Sequence, residues 1–103
     1  PYCHAGTIKD PEFGDKRNCS EFVQPAKALG AHVAPLGLKF YTGNMFPSAY
    51  KNKIILAEHG SWNRSKKSGY KLSLVRLAAN GQVTAYETFA EGWLNQETQK
   101  VWG

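Results

Sequence analysis

The sequence is most telling in what it lacks: it holds two cysteines, one methionine and no long hydrophobic run. No apolar stretch approaches the roughly 20 residues needed to cross a bilayer, so no transmembrane helix is expected. Neither a Cys-X-X-Cys pair nor a His-X3-5-His spacing occurs, which argues against the common zinc frameworks. Cys-X-X-Cys-His is missing as well, so covalent haem attachment is excluded. The Gly-X-Ser-X-Gly elbow of serine hydrolases is absent, and no Asp stands close to Ser61 in sequence to build a triad. The cations are not accompanied by an RRM aromatic pair or a recognition helix, so nucleic acid is not an expected partner. No internal repeat or low-complexity stretch is visible. The chain opens on Pro1-Tyr2-Cys3-His4 with neither an initiator Met nor a leader of the signal-peptide kind, and it stops on Val101-Trp102-Gly103. Two such abrupt ends lead to the expectation of a fragment of a longer protein.

What is there is ordinary globular material for one domain at most. An aromatic share of 13% favours β structure and ring-stacking surfaces over a helical bundle. Charge is unevenly spread. Residues 51–76 carry Lys51, Lys53, Arg64, Lys66, Lys67, Lys71 and Arg76 against Glu58 alone, a local balance of +6 in a chain of net charge +5. Such a patch attracts phosphates, acidic surfaces or an anionic cofactor. The plainer reading is a solvated hairpin whose lysines protect a sheet edge.

Cys3 and Cys19 flank a polar loop in which Gly6, Pro11 and Gly14 supply turns. A loop of that length calls for a tether, and a disulfide closing about 15 residues contributes roughly 3 kcal/mol in the chain-entropy model. That reading implies an oxidising compartment, secreted or periplasmic. Two alternatives stay open: free buried thiols, and a metal set of Cys3, His4, Cys19 and His32.

Residues 1–35 read mainly as loop, with a short helical turn near Ala26 to Leu29. Strand character begins at Leu36 and gives four sequential strands: Leu36–Tyr41, Lys53–Glu58, Gly69 to about Ala78, and Val83–Phe89. Asn80-Gly81 is a strong hairpin signal, since both residues tolerate positive φ. The expected fold is therefore all-β, a four-stranded antiparallel meander over residues 36–92, with 93–103 beginning a link onward. Leu72 and Leu74 should face one way, Val75 and Leu77 the other. Apolar residues on both faces mean the sheet wants partners on both sides, as a propeller blade does; half of a β-sandwich is the runner-up.

The densest chemistry is His59-Gly60-Ser61-Trp62-Asn63-Arg64, at the end of the second strand. An imidazole can act as base or hydrogen-bond donor near neutral pH, and a guanidinium can fork onto a carboxylate. The plain alternative is a structural loop, with Trp62 plugging the core and Arg64 paired to a carbonyl or to Glu58.

Several blocks together resemble the sorbosone dehydrogenase branch of the glucose/sorbosone dehydrogenase family. They are Pro1-Tyr2-Cys3-His4, Cys19, His32 through Gly43, Phe46-Pro47, His59 through Ser65, and Gly69-Tyr70-Lys71. The resemblance is loose after about Leu77. It implies one late blade of a six-bladed β-propeller, with the loop leading into it, from an extracytoplasmic quinoprotein. Such proteins use pyrroloquinoline quinone, with calcium, to oxidise aldose-type sugars and pass electrons to an acceptor. The resemblance further implies a His general base that takes a proton from the anomeric hydroxyl as hydride passes to the quinone. That base, like the calcium-holding segment, comes from earlier in the family's chains, so no catalytic residue and no metal ligand is assigned here. A further arginine-bearing stretch normally follows where this chain stops. Cofactor-binding residues are expected at His59, where the soluble glucose dehydrogenases carry a lysine, and at Arg64, which would supply the charge a neutral imidazole lacks. The isolated segment is expected to be inactive and, with both faces and its edges bare, to self-associate. The rival reading is a non-catalytic propeller module that binds an acidic glycan or a protein partner.

Overall fold

The computed structural model describes residues 2–102; Pro1 and Gly103, which stand in the sequence blocks quoted above, lie outside the described residues. The fold is all-β. Six strands occur, β1 (Cys3–His4), β2 (Ile8–Lys9), β3 (Pro35–Phe40), β4 (Ile54–Glu58), β5 (Lys71–Leu77) and β6 (Val83–Ala90). β1 and β2 form a small antiparallel hairpin, while β3-β4-β5-β6 form the expected antiparallel meander in sequential order. β5 begins later than its sequence pattern suggests because Gly69 and Tyr70 both take positive φ, at +82° and +57°, which no strand accommodates.

Between β5 and β6 the turn differs from the expected Asn-Gly pair. Gly81 N–H donates to Ala78 C=O at 3.0 Å and Ala78 N–H to Gln82 C=O at 2.8 Å, which closes a three-residue loop. Only Gly81, at φ +84°, is left-handed. Asn80 instead accepts the Gln82 N–H on its side chain at 3.1 Å. This is a type I turn followed by a glycine bulge, the usual three-residue solution.

Register decides the faces. Phe40, Ile54, Val75 and Tyr86 lie abreast, as do Leu38, Leu56, Ser73 and Thr88, so these share one face. Ile55, Leu74 and Glu87 lie abreast on the other, with Ala57, Leu72 and Ala90. Leu74 and Val75 are both buried although they point in opposite directions, so each face is covered at its centre. The aromatic connector between β3 and β4 folds back towards β6, with Phe46 and Tyr50 ring centroids 5.5 and 5.7 Å from that of Phe89.

The leading segment is tethered by a Cys3–Cys19 disulfide, with Cα atoms 5.7 Å apart. Both thiols are thereby consumed, which removes the free-thiol and metal readings. No helical turn forms at Ala26–Leu29. Short 3-10 turns stand instead at Gly14–Lys16 and Cys19–Glu21. The second exists because Asn18 and Glu21 cap each other reciprocally, and Arg17 Nη2 pairs with Glu21 Oε2 at 2.8 Å.

Candidate functional site

The sheet has two ends of unequal chemistry. Pro35 pairs with Glu58, Glu58 with Lys71, and Leu72 with Ala90. The start of β3, end of β4, start of β5 and end of β6 therefore share one end, and so do residues 2–34, 59–70 and 91–102. Every residue of the His59–Arg64 motif emerges there.

The loop is held by its backbone. His59 and Gly60 N–H groups donate to Ala34 and Val33 carbonyls at 3.0 and 2.9 Å, prolonging the β3–β4 pairing past the strand. Ser61 N–H then donates to Ser68 C=O at 2.9 Å, while Ser61 Oγ accepts the Ser68 N–H at 3.0 Å. The Tyr70 hydroxyl donates to Ser61 C=O. Gly60 is at φ +105°, and a Cβ there would fall 2.4 Å from the Tyr70 ring. Gly-Ser is thus a structural pair, a close backbone crossing followed by a buried hydroxyl that ties the neck of the loop.

Beyond the neck the chain projects. Trp62 is 90% exposed, so it does not plug the core. Arg64 is exposed on the same projection. The carboxylate the plain reading reserved for Arg64 is engaged elsewhere. Glu58, only 3% exposed, accepts from Ser73 Oγ at 2.6 Å and from the Tyr86 hydroxyl, both at Oε1. Its Oε2 is buried without a partner. Burial, and then the bond to Glu58, push the Tyr86 phenol above its ordinary pKa of 10.0.

His59 lines a cleft of about 320 Å³ with Leu36, Ala57, Tyr70, Lys71, Leu72, Trp93 and Trp102, and with part of Glu58. The motif thus divides: His59 belongs to the cleft, Arg64 to the projection above the neck. Lys71, Trp93 and Trp102 went unrecognised as cleft residues from sequence. The only signal was two Trp residues beside glycines after the last strand, and the bridge Leu94–Val101 is what folds that segment back. A larger hollow, about 1060 Å³, lies between the disulfide hairpin and residues 28–32. It takes in both His4 and His32, but its lining is mostly apolar and carries none of the motif, so the smaller cleft is the better candidate. His4 orders its loop through Asp10, Nε2 to Oδ2 3.2 Å. Among the described residues no group of three or more His, Cys, Asp or Glu is arranged to hold a metal. No described helix is long and apolar enough to cross a membrane.

A family model described as TrAA12-like matches residues 6–98. An uncharacterized protein of Borreliella burgdorferi is 40% identical over 102 residues, 97% of this chain and 27% of its own length. A pyrroloquinoline quinone-dependent pyranose dehydrogenase of Coprinopsis cinerea is 39% identical over 62 residues, 58% of this chain and 8% of its own. The chain therefore spans about a quarter or less of the relatives it matches. No solved structure matches.

Proposed function

Because the chain belongs to the TrAA12-like family, we propose that it is one blade, with its leading loop, of a six-bladed β-propeller quinoprotein that oxidises an aldose-type sugar, sorbosone- or glucose-like. The likeness to a pyrroloquinoline quinone-dependent pyranose dehydrogenase supports the cofactor class. The observation that carries the reading is the cleft, where an imidazole, an ammonium-bearing side chain and three aromatic rings converge at one sheet end. That set suits a planar, polycarboxylate ring system: indole and phenol faces to lie against it, and donors for its oxygens. When bound, pyrroloquinoline quinone supplies a carbonyl carbon that accepts hydride from the sugar.

This chain's share is binding rather than proton abstraction. His59 donates a hydrogen bond from the strand end, and Arg64 brings a guanidinium from the projection for a carboxylate. Trp93 and Trp102 exclude water from one side of the cleft. Calcium has no ligand set here, so no residue of this chain is assigned to it. The disulfide supports a secreted or periplasmic setting. A sugar and an electron acceptor are the partners this reading requires.

Supplying pyrroloquinoline quinone and calcium to the full-length protein should give aldose-dependent dye reduction, and His59→Ala or Arg64→Ala should weaken quinone binding. Unchanged affinity in both variants would remove these residues from the site. One observation favours a second reading: Trp62 stands almost fully exposed beside Arg64 and Lys66, a surface suited to an acidic glycan or protein. Absence of any dye reduction by the full-length protein would favour that binding module.

A further inference from the structure

We infer that Lys71 is the anion-binding cation of the His59 cleft, a role that rests on the quinone reading above and goes beyond it. Lys71 stands directly across from Glu58 in the β4–β5 register. Opposite charges so placed in a sheet normally pair. Here they do not, because the Ser73 and Tyr86 hydroxyls both bind Glu58, and Lys71 is in no ion pair among the described residues. Its ammonium rests instead 3.4 Å from Thr88 Oγ1 and 5.5 Å above the Tyr86 ring, which Lys27 also faces at 5.8 Å. Both contacts of Lys71 are weak, so the charge is held in place but not neutralised.

Position makes that charge useful. Lys71 lines the His59 cleft and also a second hollow beside it, bounded by Lys67, Tyr70, Glu91 and Gln96. It therefore forms the ridge between the two, with a long stem that can turn its ammonium either way. The other cations at this end are less available: Lys67 Nζ donates to the Gln99 carbonyl, and Arg64 lies beyond the neck. Gly60 and Gly69 fix the base from which Lys71 starts. A Cβ on Gly69 would meet Gly60 Cα at 2.7 Å, so the backbone there has little freedom to drift. The result is a mobile ammonium on a rigid base beside the imidazole, matched to a carboxylate or a quinone oxygen of the ligand.

The test is titration of the full-length apoprotein with pyrroloquinoline quinone, followed by Trp fluorescence at several salt concentrations. Lys71→Gln should weaken binding about tenfold, as loss of one charge-assisted bond implies, and should flatten the salt dependence. Lys71→Arg should stay within about threefold of the parent, since it keeps the charge. The trimethyl ester of the quinone, with its carboxylate charges removed, should bind parent and Lys71→Gln alike. If Lys71→Gln binds the free acid as tightly as the parent, with the same salt slope, while His59→Ala loses affinity, the Lys71 role is overturned and the quinone reading stands. If the parent itself binds no quinone, both are overturned.

Discussion

At the scale of single residues, Glu58 departs most from what its neighbours in sequence imply. A lone acid among seven cations reads as a surface counter-charge, yet it is among the most buried side chains of the sheet. Its burial is legible only once Ser73 and Tyr86, 15 and 28 residues away, are brought beside it. This arrangement has a pH consequence. The Tyr86 phenol holds its proton in the folded state above the pH where an unfolded tyrosine, near 10.0, releases it. The folded state thus binds more protons in that window, and stability is fully present below pH 10 and declines as pH rises through the folded value. Tyr86→Phe should cost about 1–2 kcal/mol near neutrality, since it leaves Glu58 with one donor fewer, and should flatten the alkaline decline. Urea midpoints between pH 8 and 11 check this; an equal decline in the variant would assign the effect to another group.

At the scale of elements, the four strands of the meander were all legible, with ends that shifted by one to three residues. Apolar patterning survives because it reflects burial that is local to each strand. The ends move where backbone conformation overrides pattern, as at Gly69-Tyr70. The leading segment is the opposite case. Its two-residue strands and its 3-10 turns carry no periodicity and depend on the disulfide and on capping by Asn18 and Glu21. Replacing both cysteines by serine should therefore release residues 2–24 while β3 to β6 keep their protection in amide hydrogen exchange, at a cost of about 3 kcal/mol in the chain-entropy model. Uniform loss of protection across both regions would show that the sheet depends on the tether.

For the whole molecule, dimensions carry the argument. The Cα radius of gyration is 16.2 Å, whereas a compact domain of this length has about 13 Å. The accessible surface is 7554 Å², against about 5,800 Å² expected for a closed globule of the same mass. The thinnest extent is only 17 Å, close to a single layer, and Leu36 and Leu38 are 76% and 62% exposed on the edge strand. Such a slab should associate when studied alone. Sedimentation at rising concentration should show growing mass, and Leu36→Lys with Leu38→Lys should suppress it; a strict monomer at every concentration would contradict the expectation of unpartnered apolar surface. The sequence by itself determined the β class, the strand order and the motif, because alternation, turn residues and rare residue types are properties of short segments. The tertiary structure alone decided which members of that motif share a cleft. His59 turns in and Arg64 out because a glycine crossing and a serine neck lie between them, and Lys71 joins His59 because Glu58 is satisfied by hydroxyls from two other strands. Both outcomes depend on contacts between residues far apart in the chain, which no local pattern records.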